Sequence, residues 1–163
     1  MKNKKTLWLA ALVLGGAVWL TPRVTFGQNE TSVTGAGSAV FASGAVFNVV
    51  PLSDLRFGIG IDLAGDGTAS GDVEFTLVST SSGQSKNIVV EGEATSGSLL
   101  APGVAIVSGT CSIDKGDGTL ALSGVPFSLT VSMGLDGKGT LSIVLGAANL
   151  PAATVSKGSL TVR

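Results

Sequence analysis

Residues 125–133 (VPFSLTVSM) alternate between apolar and mostly hydroxyl side chains, and this pattern indicates the fold class. The apolar set is Val125, Phe127, Leu129, Val131 and Met133, and the set between them is Pro126, Ser128, Thr130 and Ser132. Successive side chains of a β-strand point to opposite faces, so a period of two predicts one apolar face and one hydroxyl face. The stretch is therefore predicted to be a strand with one side against a core.

The same alternation recurs along the chain. It is clear at 55–61, 73–77 and 141–145, and less regular runs lie at 38–50, 86–93, 103–113, 119–122 and 159–162. Turn sequences separate these runs, namely Gly65-Asp66-Gly67-Thr68, Ser82-Gly83, Gly116-Asp117-Gly118-Thr119 and Asp136-Gly137-Lys138-Gly139. Asp-Gly supplies the positive φ angles that tight hairpins need. The sequence predicts an all-β fold, an antiparallel β-sandwich or small closed barrel of about nine strands. No segment longer than about ten residues has helical periodicity, although 145–155 could hold one short turn of helix.

The first 27 residues are expected to be a cleavable secretory signal. Three lysines among the first five residues precede an apolar stretch at 7–20, and Thr25 and Gly27 place small residues at positions −3 and −1 of a cut before Gln28. The alternative is an uncleaved anchor, but these 14 residues of helix would cover only about 21 Å of a hydrocarbon core of about 30 Å. Residues 28–163 are predicted to form a single β domain, secreted to the extracellular space or the periplasm.

The composition excludes several classes of activity. None of the 163 residues is a histidine, which removes Ser/His/Asp and Cys/His nucleophile pairs and His-ligated zinc. The chain without its signal carries six basic and eleven acidic side chains, so nucleic acid is not an expected partner. Tyrosine is absent and both tryptophans, Trp8 and Trp19, lie in the predicted signal, so aromatic girdles are missing and membrane insertion of the mature chain is not expected. The protein is predicted not to be an enzyme.

Two pairs of aspartates in glycine-rich turns are the candidate metal ligands, Asp62 with Asp66 and Asp114 with Asp117. Calcium prefers hard oxygen ligands of this kind. The EF-hand spacing is not met, because counting from Asp62 places Ala64 at the third position, where that loop needs an oxygen ligand. The alternative interpretation is that these aspartates only form turns, and no other cofactor is predicted.

Two further pairs of carboxylates follow the strand period, Asp72 with Glu74 and Glu91 with Glu93. Residues i and i+2 of a strand share a face and lie about 7 Å apart. That separation suits the two carboxylates of an inverting glycosidase. A cleft and an aromatic sugar platform are not evident in the sequence, so a solvated strand face is the favoured interpretation and no catalytic residue is predicted.

Cys111 is the single cysteine, so it cannot form a disulfide within the chain. It shares strand parity with Ala105, Val107 and Ile113, which predicts a buried, inert thiol on the apolar face. The alternative is an intermolecular disulfide or a reactive thiol, for which Lys115 is the one nearby basic residue.

A series of short motifs follows the strand and turn pattern through most of the chain after Gln28. They are, in order, Val33-Thr34-Gly35-Ala36-Gly37, Phe57-Gly58, Gly67-Thr68-Ala69-Ser70-Gly71, Val107-Ser108-Gly109-Thr110 and Gly124-Val125-Pro126-Phe127. This order resembles small secreted bacterial β domains of the post-COAP-1-like type. The resemblance implies an exported or accessory module with a β architecture, and it brings no catalytic residues to this chain.

These observations predict a secreted, non-enzymatic structural, cell-surface or binding module with an unknown protein or cell-surface partner. Its loops and sheet edges are the expected contact regions, because an exposed strand can pair with another chain. One alternative is a small barrel that encloses an apolar ligand. Another is a calcium-dependent adhesion or recognition module that uses the four aspartates.

Overall fold

The computed structural model describes residues 31–80, 87–134 and 138–163. The predicted secretory signal lies outside the described residues, as do the turns predicted at Ser82-Gly83 and Asp136-Gly137. The strands, in chain order, are β1 (Thr31–Phe41), β2 (Val46–Phe47), β3 (Val50–Leu63), β4 (Ala69–Ser79), β5 (Ile88–Ala101), β6 (Val104–Asp114), β7 (Leu122–Met133), β8 (Gly139–Leu145), β9 (Ala148–Asn149) and β10 (Ala153–Val162).

Eight of these strands form a closed antiparallel ring. Their order is β1-β10-β8-β7-β6-β5-β4-β3, and β3 also pairs with β1, which closes the sheet on itself. Apart from the two-residue strands β2 and β9, each strand lies next to the strand that follows it in the chain. This is the connectivity of an up-and-down closed sheet. The predicted all-β antiparallel fold is confirmed.

The period of two separates the inside of the ring from the outside. The largest side chains that are fully buried come from five strands and alternate along each of them: Leu55, Ile61, Phe75, Leu77, Ile88, Leu129, Leu141 and Ile143. In β7, Phe127, Leu129 and Val131 are buried as the alternation predicts, and Val125 and Met133 at the two ends are half-buried. The apolar face of every long strand therefore contributes to one shared interior.

Glycines on the inner face leave space that large neighbouring side chains occupy. A Cβ added to Gly109 would lie 2.9 Å from Cε1 of Phe127, and one added to Gly92 would lie 3.0 Å from the same atom. A Cβ added to Gly139 would lie 2.5 Å from Cδ2 of Leu160. Large and small inner residues thus interlock, and the interior is occupied by side chains.

The short helical turn that 145–155 could hold is not formed. Leu145 pairs directly with Ala148, so Gly146 and Ala147 form a tight hairpin turn between β8 and β9. Gly146 has a φ of 58°, a conformation that glycine adopts without steric cost. No helix occurs anywhere in the described residues.

Candidate functional site

The four candidate calcium ligands are divided between the two rims of the ring. Asp62 and Asp66 lie where β3 connects to β4, and Asp114 and Asp117 lie where β6 connects to β7. Neighbouring strands alternate in direction, so β3 and β6, three steps apart in the ring, end at opposite rims. The two pairs cannot join in one site.

Within each turn the aspartate side chains bond to the backbone of the turn itself. Oδ1 of Asp66 accepts hydrogen bonds from the backbone N–H and the hydroxyl of Thr68, at 2.9 and 2.6 Å. Oδ1 of Asp117 accepts the equivalent pair from Thr119, at 3.0 and 2.5 Å. The hydroxyl of Thr68, and then its N–H, hold the pKa of Asp66 below its ordinary value.

This geometry favours the turn-forming interpretation of the aspartates. Oδ1 of Asp114 also bonds within its own turn, to the N–H of Gly116 at 2.8 Å. Within the described residues, no group of three or more cysteine or carboxylate side chains is arranged to hold a metal ion. Calcium binding therefore stays a prediction without a ligand cluster to support it.

The other two carboxylate pairs do meet, on the outer face of the ring. Asp72 lies opposite Glu93, and Glu74 lies opposite Glu91, on the neighbouring strands β4 and β5. All four side chains are exposed, and we call them the acidic wall. Like charges directly opposite each other destabilise a strand pair, so this arrangement costs free energy.

The acidic wall borders a shallow, open depression with a volume of about 750 Å³. Gly58 and Gly60 lie beside it on β3, where the absence of side chains lowers the surface. Its other lining residues include Thr110 and Ser112, and no aromatic ring of the described residues lines it to act as a sugar platform. The carboxylate pairs thus lie on an open face, which agrees with a solvated strand surface.

Cys111 lies on the inner face of β6, as its strand parity predicts. It is 4% exposed and has a free thiol. Burial raises the pKa of this thiol, so the reactive thiolate form is disfavoured. The position agrees with an inert thiol.

Sequence reasoning missed a different feature, the part of β10 that follows Thr154. On one side β10 pairs with β1 from Ala153 to Val162. On its other side β10 pairs with β8 only where Ala153 lies opposite Leu141 and Thr154 lies opposite Thr140. Beyond Thr154, no described residue pairs with that side of β10.

A bulge lies where β10 leaves β8. The register between β1 and β10 shifts between Ser38 and Ala39, so Ser156 has no residue opposite it on β1, although its hydroxyl donates to the C=O of Ser38, and Gly158 follows with a φ of 95°. Bulges bend the strand that carries them and increase its twist. Beyond this bulge β10 stays paired with β1, whereas its pairing with β8 has already ended at Thr154.

The hydrogen-bonding directions along this half-strand follow from its last pair. Ser32 and Arg163 exchange both backbone hydrogen bonds, at 2.8 and 3.0 Å. In an antiparallel pair such residues alternate with residues whose N–H and C=O point the other way. Gly158, Leu160 and Val162 therefore direct their backbone groups away from β1, and we call these groups the free edge.

Charge is distributed unevenly around the ring. The nine described acidic side chains all lie on β3 to β6 or the loops between β3 and β7, and none lies on β1, β7, β8 or β10. Three of the five described basic side chains, Lys138, Lys157 and Arg163, lie beside or on β10. In the ring order β10 is four strands from β5 in either direction, so the free edge and the acidic wall lie on opposite sides.

Comparisons with known proteins add no functional assignment. No protein family, curated protein or solved structure matches the chain. The resemblance to post-COAP-1-like domains stays a prediction. None of the described residues belongs to a helix long and apolar enough to cross a membrane.

Proposed function

We propose that this protein is a secreted, non-enzymatic binding module that adds an extended segment of a partner protein to the free edge of β10. The observation that carries the proposal is that no described residue pairs with the backbone groups that Gly158, Leu160 and Val162 direct away from β1. A strand edge with unpaired N–H and C=O groups is a template for another chain. Peptide-binding domains use such edges, where main-chain hydrogen bonds supply affinity and side chains supply specificity.

The interior gives no comparable support to an enclosed apolar ligand. Fully buried side chains such as Phe75, Leu129 and Ile143 occupy the inside of the ring. Barrels that hold a ligand leave a cavity that is not filled by their own side chains. The outer surface and its edge are the favoured places for a partner.

The test uses three ten-residue peptides in which valine alternates with glutamate, with lysine or with serine. Backbone pairing at the free edge should slow amide hydrogen exchange at Leu160 and Val162. The amides of Ser159 and Thr161 already face β1 and should be protected with or without peptide. Exchange is followed by NMR residue by residue, with and without each peptide.

The variant Val162→Pro removes one N–H from the free edge. This N–H points away from β1, so its loss breaks no bond of the ring, and proline is tolerated at such edge positions. Val162→Ala is the matched control, because it shortens the same side chain but keeps the N–H. We expect Val162→Pro to abolish peptide binding and Val162→Ala to retain it.

Two results would overturn the proposal. One is that none of the three peptides protects Leu160 and Val162 in the wild-type protein. The other is that a peptide binds Val162→Pro as tightly as it binds Val162→Ala. A circular dichroism melt shows whether Val162→Pro is folded. If it is not, the wild-type protein is tested instead with a peptide that is N-methylated on the edge that pairs with β10.

A further inference from the structure

We infer that the segment taken up at the free edge is acidic, with carboxylates on the side that faces solvent. This inference rests on the proposed function. It adds the chemistry of the partner, which the backbone groups alone do not specify.

The side chains that flank the free edge set this preference. Lys157 and Arg163 lie on the outward-facing alternation of β10, together with Ser159 and Thr161. Side chains directly opposite each other on antiparallel strands interact, and opposite charges stabilise the pair. A strand added beside β10 would place its outward residues next to these two cations at the two ends of the pairing.

The residues of the added strand that face inward lie beside apolar side chains of β10. Leu160 is buried and packs over the position of Gly139, and Val162 is half-buried against the same core. Residues of the added strand on that face would extend this apolar surface. The segment is therefore expected to alternate carboxylate and apolar residues.

The distribution of charge around the ring also favours an acidic segment. No described acidic side chain lies on β1, β7, β8 or β10, so an acidic segment meets no described Asp or Glu side chain beside the free edge. The acidic wall, on the opposite side of the ring, repels such a segment. Complementary charge of this kind directs an approaching partner to one face and discriminates against others.

A second copy of this chain fits the free edge less well. If two copies paired antiparallel with Leu160 of one opposite Leu160 of the other, Gly158 of each would lie opposite Val162 of the other. The backbone groups of all three residues would then form hydrogen bonds across the pair. The same register places Lys157 of each copy opposite Arg163 of the other. Like charges opposite each other are unfavourable, so self-pairing is opposed where acidic pairing is favoured.

The experiment measures dissociation constants of the three peptides, each with a terminal fluorophore, by anisotropy. The glutamate peptide should bind about three- to tenfold more tightly than the serine peptide, and the lysine peptide more weakly than both, because each exposed charge pair contributes modestly. The difference should shrink at about 1 M salt, where the screening length is only about 3 Å.

Charge reversal supplies the matched variants. Lys157→Glu with Arg163→Glu should invert the order, so that the lysine peptide binds most tightly. Arg56→Glu with Lys115→Glu changes the net charge by the same amount at positions that do not flank the free edge, on β3 and in the loop after β6, and should leave the order unchanged.

The outcomes separate this inference from the proposed function. Peptides that bind equally well and lose binding in Val162→Pro would overturn the acidic preference alone. Absence of binding by all three peptides would overturn the proposed function as well. A stable dimer that Val162→Pro converts to a monomer would also overturn the inference, since it would identify a second copy as the occupant.

Discussion

The aromatic ring of Phe127 packs over two glycines, one on the adjacent strand β6 and one on β5 beyond it. Gly109 lies directly opposite Phe127 on β6, and Gly92 lies on the next strand. At both positions a methyl group would enter the space of the aromatic ring. Phe127 and the two glycines therefore act as one packing unit, in which the residue sizes are complementary.

Gly109→Ala is expected to lower the free energy of unfolding by about 1–3 kcal/mol or more, the usual cost of overpacking a filled core. The added methyl would overlap the backbone oxygen of Glu93, which cannot move without disturbing the strand pair. Urea denaturation monitored by circular dichroism measures the change. Gly60→Ala is the control, because nothing lies within 4 Å of its added methyl, and a change within about 0.5 kcal/mol is expected. Equal effects of the two substitutions would contradict the packing argument.

The bond between Asp66 and Thr68 makes a prediction about pH. Thr68→Val removes the hydroxyl that is the main cause of the lowered pKa, so the pKa of Asp66 should rise toward its ordinary value of 3.8. Carboxyl NMR chemical shifts during a pH titration measure this. A folded-state pKa below the unfolded one adds stability above the unfolded pKa, and that stability is lost as pH falls through the folded pKa.

The wild type should therefore lose more stability than Thr68→Val when the pH falls from 7 to about 2. Unfolding in urea at both pH values tests this difference. Identical losses would show that the bond does not distinguish the folded from the unfolded state. Because both side chains are exposed, the effect is expected to be small.

At the level of single residues, sequence reasoning was accurate where the cause is local. The bonds of Asp66 and Asp117 form within their own turns, and the burial of Cys111 follows from strand parity. The opposition of Asp72 to Glu93 depends on the register between β4 and β5, which strand periodicity alone does not specify.

The hairpin between β2 and β3 contains a strained element. Phe47 pairs with Val50, so Asn48 and Val49 form a two-residue turn, with φ angles of 46° and 66°. Both angles are positive, as a type I′ turn requires. Asparagine tolerates this conformation, whereas a β-branched residue does not. Val49 is also 93% exposed, so its side chain gains little from packing.

Val49→Gly is expected to raise the free energy of unfolding by about 1 kcal/mol. It relieves a steric cost of about 1–2 kcal/mol, offset in part by the greater freedom of glycine in the unfolded chain. The substitution also gives the turn Asn-Gly, its preferred dipeptide. Val49→Ala, which removes the branching but keeps a Cβ, should give a smaller increase. An unchanged or lower thermal midpoint in Val49→Gly would contradict the strain argument.

The elements that sequence reasoning placed least well are those at the two ends of the described chain. The run Val33-Thr34-Gly35-Ala36-Gly37 was not predicted as a strand, because glycine disfavours strands. It forms the first half of β1, where β3 and β10 supply hydrogen bonds on both sides. Likewise only 159–162 was predicted of β10. In both cases tertiary pairing overrides local preference.

Sequence alone also could not reveal the free edge. The sequence shows a lysine at 157 and a glycine at 158, but their place on a strand follows only once β10 is known to begin at Ala153. The edge itself arises from the unequal lengths of β8 and β10, because β8 begins at Gly139 and cannot extend along the rest of β10.

At the scale of the whole molecule, the ring is closed by one short seam. β8 and β10 are joined at Ala153 and Thr154, whereas β3 and β4 pair along most of their lengths. Few hydrogen bonds have to break for the seam to separate. Regions with few bonds open with a smaller free energy than the global unfolding of a protein.

Amides that bond across β8 and β10 are therefore expected to exchange through a partial opening. Amides that bond across β3 and β4 should exchange only through global unfolding. Native-state hydrogen exchange at increasing urea concentration distinguishes the two, because partial openings depend weakly on denaturant. Equal exchange free energies and equal urea dependence at both places would contradict a weak seam.

The pairing of β1 with β10 has a consequence for the time course of folding. The first and last strands of the described chain must meet before the ring can close, after almost all of the intervening hairpins have a chance to form. Contacts so distant in sequence carry a high entropic cost and slow the folding of β proteins to milliseconds or seconds. During that interval the sides of β1 and β10 that will pair with each other are open to other chains, so the protein is most exposed to misassembly just before its first and last strands join.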